Sequence, residues 1–109
     1  MHLYGLKSCD TCRAALKALR GAGHDVAYTD VRADGVKSSD LERFIAEFGD
    51  AIINKRSTTW RGLSDAERSA PPLELLIANP TLMKRPVIEA DGTLHLGWSK
   101  ETQQTLGIS

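Results

Sequence analysis

The chain has 109 residues, of which 41% are apolar and 26% charged, with 14 acidic and 14 basic side chains. That length supports one modest core, so a single domain over 1–109 is expected. The balanced charge excludes nucleic-acid affinity through bulk charge, so no direct nucleic-acid partner is expected. No apolar run reaches the length of a membrane span. The stretch Met1-His2-Leu3-Tyr4-Gly5 lacks the basic and apolar regions of a secretory signal. A cytoplasmic, monomeric protein without a membrane partner is therefore expected.

Leu3 to Leu6 reads as a short strand. A helix follows over Asp10 to Ala22, with Cys12, Ala15, Leu16 and Leu19 apolar at i, i+3, i+4, i+7 and with Gly21 and Gly23 as its stop. Val26 to Tyr28 reads as a second strand, which makes a right-handed parallel βαβ unit. Asp30 to Lys37 is a polar connector. Ser39 and Glu42 have the spacing of a capping box, and Leu41, Phe44, Ile45 and Phe48 continue as a helix closed by Gly49. Ala51 to Ile53 reads as a further apolar helical turn, and Asn54 to Arg61 as a basic loop. Ser64 and Glu67 form a second capping box. Pro72 suits the first position of the next helix, with Leu73, Leu76 and Ile77 inward and Pro80 beyond its end. Val87 to Ala90, Asp91-Gly92 and Thr93 to Gly97 make a hairpin. Ser99 to Leu106 fits a final short helix.

This order is βαβ, a block of helices at about 30–80, then ββα. It predicts an α/β, thioredoxin-like fold. A four-stranded mixed sheet carries the helical block as an insertion between the second and third strands, with the hairpin antiparallel to the first two.

The chain's two cysteines, Cys9 and Cys12, stand three apart where the first strand gives way to the first helix. In a reducing compartment such a pair points to redox or metal chemistry rather than a structural staple. His2, His24 and His95 have no ligand-like spacing, so no metal is expected. The thiolate is the reactive form of cysteine. Cys9 sits where unpaired helix N–H groups favour negative charge. Lys7 and Arg13 are expected to push its pKa the same way, with Asp10 partly opposing them. Cys9 is therefore the candidate nucleophile. Cys12 has two readings: a resolving thiol one turn on, or a small buried hydrophobe in the apolar stripe of the helix. Thr11 and Ser8 are expected to satisfy helix-start N–H groups, and Thr11 also to donate to the thiolate. Trp60 is read either as a lid or as a satellite core aromatic.

The pieces Tyr4-Gly5-Leu6-Lys7-Ser8-Cys9-Asp10-Thr11, Arg56-Ser57-Thr58-Thr59-Trp60-Arg61, Lys84-Arg85-Pro86 and Leu96-Gly97-Trp98-Ser99 together resemble the arsenate reductase-like family. That family contains ArsC, the YffB proteins and the Spx regulators, and the nearest resemblance is to the YffB branch. The resemblance implies a glutathione-dependent thiol reductase in which Cys9 attacks a disulfide, a mixed disulfide or an oxyanion. Glutathione would be the co-substrate, and no cofactor would be tightly bound. Arg56 and Arg85 match oxyanion-binding arginines, whose planar fork suits carboxylates and oxyanions; a solvated surface guanidinium is the plain alternative for each. Lys55 and Arg61 are further basic candidates. Pro86 is expected in cis, presenting the backbone of Arg85 toward Cys9. Thr11, Arg13 and Trp60 complete the expected substrate- or glutathione-binding set. His95 to Ser99 supplies no third arginine, which turns the expectation from arsenate toward thiol chemistry. Cys12 followed by Arg13 is also the Spx pattern. The alternative is thus a redox-sensing regulator that binds RNA polymerase through a Cys9–Cys12 switch.

Overall fold

The computed structural model describes residues 1–108. The chain divides into two compact units: Met1–Asp34 together with the described residues from Arg85 onward, and Gly35–Lys84.

The first unit carries the sheet. Its elements are β1 (His2–Gly5), α1 (Asp10–Gly21), β2 (Ala27–Asp30), β3 (Val87–Ala90), β4 (Thr93–Leu96) and α6 (Lys100–Thr105). The strand order is β2-β1-β3-β4. β1 pairs parallel with β2, with Leu3 opposite Tyr28 and Gly5 opposite Asp30. β3 runs antiparallel to β1, and β4 antiparallel to β3. The mixed four-stranded sheet is therefore the expected one, with one refinement: only β3 opposes the first two strands, because a hairpin must reverse direction and so β4 runs with them. The hairpin turns on Asp91 and Gly92, both at positive φ (51° and 79°). Two such residues give the turn whose twist matches that of the flanking strands.

α1 has Cys12, Ala15 and Leu19 buried on one face. Ala15 and Leu19 meet Leu3, Val26, Ile88, Ala90 and Leu106 in one apolar cluster, with Leu16, Tyr28 and Trp98 packed at its margin. β2 starts and ends later than the sequence suggests, because Ala27 pairs with His2 and Asp30 with Gly5. Asp30 is the one polar residue among the described residues that is fully buried. Its Oδ1 accepts from the N–H groups of Arg32 and Ala33 at 2.9 and 2.8 Å. Its Oδ2 accepts from the N–H of Lys7 at 3.0 Å. The Asp30 N–H in turn donates to Asp34 Oδ2 at 2.9 Å. One carboxylate thus closes the turn after β2 and ties it to the loop after β1.

The second unit is helical: α2 (Ser38–Phe48), α3 (Thr58–Arg61), α4 (Asp65–Arg68) and α5 (Pro72–Ala78), with 3-10 turns at Gly49–Ile52 and Pro80–Leu82. Leu41 and Phe44 of α2 and Leu75 and Leu76 of α5 are buried, and α2 packs against α5. An isolated bridge pairs Ile53 with Met83. The N–H groups of Asn54 and Lys84 close onto the carbonyls of Leu82 and Ile52, at 2.8 and 2.7 Å.

Three expectations fail in this unit. The Ser39–Glu42 capping box does not form: α2 starts at Ser38 with Lys37 at its N-cap, which places Ser39 inside the first turn. Asn54–Arg61 is not all loop, since Ser57 Oγ accepts from the Trp60 N–H and starts α3. Ile77 does not point inward but is 57% exposed. Leu76 is buried as expected, and Leu75 joins it in place of Ile77, so the stripe turns toward the other side of α5. The Ser64–Glu67 box and Pro72 at the helix start both form as expected.

The hydrogen bonds to Asp30 hold its carboxyl below the usual carboxylate range, led by the bond from Ala33 and outweighing burial. A depressed carboxyl stabilises the fold above the ordinary Asp range, and that contribution is lost as pH falls through its folded pKa. Asp30→Asn places an amide against at least one N–H donor. It is expected to cost about 1–3 kcal/mol in urea unfolding at neutral pH, with the difference from wild type shrinking in acid. Equal stability of the two proteins at neutral pH would show that the carboxylate is not what holds these turns.

Candidate active site

Between Gly5 and Asp10 the chain turns sharply, and the Cys9 N–H donates to the Leu6 carbonyl at 3.0 Å. Cys9 is then the N-cap of α1, in extended conformation (φ −88°, ψ 115°), and its Sγ accepts from the Cys12 N–H at 3.5 Å. Sulfur takes the place that an oxygen usually fills at a helix start. This corrects the roles expected of Thr11 and Ser8. Thr11 lies inside the first turn, and both residues are exposed, with no side-chain hydrogen bond from either among the described residues.

Cys9 is half-buried and Cys12 fully buried, and both are free thiols. Partial burial opposes the Cys9 thiolate. The Cys12 thiol and N–H, followed by the hydrogen bond and charge of the Arg85 guanidinium, outweigh that burial and hold Cys9 below the ordinary thiol range. Lys7 and Arg13 are not the cations that do this. Arg13 pairs with the Asp10 carboxylate, and Lys7 contributes to the loop through its backbone N–H on Asp30. Cys12 is driven the other way. Burial, aided by the neighbouring Cys9 charge, pushes its thiol up to about 12, even though a backbone bond at Leu6 opposes the rise. The pair is therefore asymmetric: the thiolate forms on Cys9 first, while Cys12 stays a thiol that donates to it.

Gly5 makes this arrangement possible. A Cβ at position 5 would lie 2.7 Å from Cys12 Sγ and 2.9 Å from Cys12 Cβ, closer than real atoms approach. The buried thiol packs directly on the β1 backbone. A glycine inside a strand pattern signals such close approach, and this one stands in the motif without having been singled out. Asp30 was also missed as a site residue. An aspartate at a strand end suggests a turn, and its reach back to Lys7 becomes visible only in the parallel register.

The remaining candidates divide between the units. The Arg85–Pro86 bond is cis, as expected, Pro86 is buried, and Arg85 is the arginine that acts on Cys9. Arg56 belongs to the second unit. It is exposed there and, with Lys55 and Lys84, lines an open cavity of about 410 Å³. Its carbonyl accepts from Arg61 Nη2 at 3.1 Å. Trp60 is a half-buried aromatic of that unit, with Lys55 Nζ 5.8 Å and Arg68 Cζ 5.6 Å from its ring. Arg68 also donates from Nε to the Trp60 carbonyl at 3.2 Å.

Alkylation rate against pH measures the Cys9 thiolate directly. Arg85→Ala is expected to move the midpoint up toward that of free cysteine, and Arg85→Lys to move it part of the way, because the charge stays while the fork is lost. An unmoved midpoint in Arg85→Ala would remove Arg85 from the site. The same asymmetry sets a stability profile. A depressed thiol stabilises the fold above its unfolded pKa and loses that contribution as pH falls through its folded value. Cys12, being raised, contributes below the ordinary thiol pKa of about 8.5 and loses its contribution as pH rises toward 12. Of the two thiols only Cys9 varies below that ordinary value, so above the range in which Asp30 titrates the reduced protein gains stability with rising pH, and Cys9→Ser flattens the gain.

The sequence profile of the ArsC family matches residues 4–106. An uncharacterized protein of Haemophilus influenzae is 39% identical over 109 residues, covering 94% of each chain. The global transcriptional regulator Spx of Listeria innocua is 30% identical, over 91% of this chain and 80% of that one. Among solved structures, a YffB protein superposes with a TM-score of 0.88 at 31% identity, covering 96% of each chain. The thioredoxin-like sheet, the cysteine at the start of α1 and these likenesses agree, and the chain belongs to the ArsC family.

Proposed function

We propose that this chain is a cytoplasmic thiol-dependent reductase acting on disulfides or mixed disulfides, with Cys9 as nucleophile and an external thiol such as glutathione as co-substrate. The observation that carries this reading is the split between the two thiols. Cys9 is accessible and lowered, whereas Cys12 is sealed and raised to about 12. In the first step the Cys9 thiolate attacks one sulfur of the substrate disulfide. That bond breaks, the other sulfur departs as a thiolate, and Cys9 holds the first in a mixed disulfide. In the second step an external thiolate attacks the substrate-derived sulfur, forms a new disulfide with it and returns Cys9 as thiolate. Where the substrate-derived sulfur is not itself that of the external thiol, a second external thiolate displaces it from this new disulfide, so that two external thiols are oxidised to their disulfide and supply the two electrons. Arg85 stabilises the charge on Cys9 before attack and again on its release.

The alternative resolving route sends Cys12 onto Cys9 Sγ and leaves a Cys9–Cys12 disulfide. Burial on the β1 backbone keeps Cys12 mostly protonated, so the external route is the faster one. Cys9→Ser is expected to abolish glutathione-dependent turnover of a mixed disulfide, and Cys12→Ser to retain most of it. Turnover by Cys9→Ser would refute the nucleophile assignment, and loss in Cys12→Ser would favour the internal route.

The likeness to Spx supports a second reading, a redox-sensing regulator. Its test is binding of purified RNA polymerase by the reduced and oxidised chain. Redox-dependent binding without mixed-disulfide turnover would reverse the order of the two readings.

A further inference from the structure

A second feature of the first unit lies along α1, beside the loop that carries Cys9. Lys7, Arg13, Leu16, Arg20 and Tyr28 line an open cleft of about 340 Å³. Arg13, Leu16 and Arg20 follow the spacing i, i+3, i+7, which places them on one face of the helix, and Lys7 stands two residues before Cys9 in the loop itself. Three cations meet here in a chain whose overall charge is zero. Of the acids nearby, Asp10 pairs with Arg13, and the Asp30 carboxylate is taken up by backbone N–H groups, that of Lys7 among them. Arg20 is held in place by its Nη2 bond to the Val26 carbonyl at 3.0 Å, with its other donors left for a ligand.

The floor of the cleft is apolar. Leu16 and the Tyr28 ring are half-buried, at the margin of the core. The Tyr28 hydroxyl is itself buried, and among the described residues it has no hydrogen-bond partner, which is uncommon for a buried phenol. Burial, followed by the charges of Asp30, Cys12 and Cys9, also pushes the Tyr28 phenol up. It therefore stays protonated as a donor, within the electrostatic reach of both thiols.

We propose that this cleft seats an acidic stretch of polypeptide, so that the substrates of Cys9 are disulfides carried on acidic protein segments. The proposal rests on the reductase reading above and extends it to a substrate class. Carboxylates would meet Lys7, Arg13 and Arg20, an apolar side chain would cover Leu16 and the Tyr28 ring, and a backbone carbonyl would accept from the Tyr28 hydroxyl. Arg13 and Arg20 are about 10 Å apart along the axis at 1.5 Å per residue, the length of roughly three extended residues. A small polyanion would satisfy the cations but leave the apolar floor uncovered.

The probe is a short fluorescent peptide with several carboxylates, one leucine, and serine in place of cysteine, read by anisotropy against its amide counterpart. Wild type is expected to bind the acidic peptide in preference to the amide one, and added salt should weaken that binding. Arg20→Ala should weaken it about fivefold. Tyr28→Phe should weaken it by a similar factor without loss of fold stability, since it removes an unpartnered hydroxyl. Lys17→Ala, an exposed cation of α1 outside the cleft, should change nothing. Equal binding of the two peptides, or an unchanged affinity in both Arg20→Ala and Tyr28→Phe, overturns the proposal. So does inorganic pyrophosphate binding with the same Arg20 dependence while the peptide does not bind. Cysteine versions of both peptides, as glutathione mixed disulfides, then separate the two readings. Faster turnover of the acidic one supports the proposal, and equal turnover overturns it while the reductase reading stands. If neither is turned over, the reductase reading falls and the substrate assignment falls with it.

Discussion

The carboxylate of Asp30 is the fixed point of the first unit. It is fully buried, yet it stays ionised because three backbone N–H groups, from Lys7, Arg32 and Ala33, converge on it. A buried charge of this kind is tolerated only when hydrogen bonds replace water. Here the compensation also does positional work, since the Lys7 bond anchors the chain two residues ahead of Cys9. The parallel pairing of Gly5 with Asp30 puts that carboxylate in reach. The site thus depends on sheet register through one side chain, not on the helix alone.

From that anchor follows the chemistry of the two sulfurs. Their environments differ although their spacing is short. Cys9 faces outward with a guanidinium and two donors from Cys12, whereas Cys12 faces the strand backbone and is sealed by it. Separating the titration of neighbouring groups is a common way for a protein to give them separate roles. In this pair, burial decides for Cys12, and hydrogen bonding together with Arg85 decides for Cys9.

Much of this was legible in the chain. The apolar spacing of α1, the Asp91-Gly92 turn and the Cys9 position led to the sheet and to a cysteine at the start of α1, because each is a local signal with a local cause. The elements that escaped have causes spread through space. Ser39 has the residue type of a cap, but the N-cap of α2 falls two residues earlier, at Lys37. The buried face of α5 depends on where α2 lies. Arg85, and not the nearer Lys7 or Arg13, lowers Cys9, since residues distant in sequence meet at the strand ends while Arg13 is held by Asp10. Sulfur as the helix cap was hidden by Thr11 and Ser8, which are better capping residues by type but stand at the wrong positions.

That sulfur cap couples redox state to folding. When Cys9 enters a disulfide, its sulfur becomes neutral and a weaker acceptor for the Cys12 N–H, and Arg85 loses the charge it faces. The captured form is therefore the less stable one, by linkage. Cys9 then becomes a good leaving group, and the equilibrium constant for adduct formation carries a penalty written into the start of α1. In the proposed reaction that penalty favours release of the adduct.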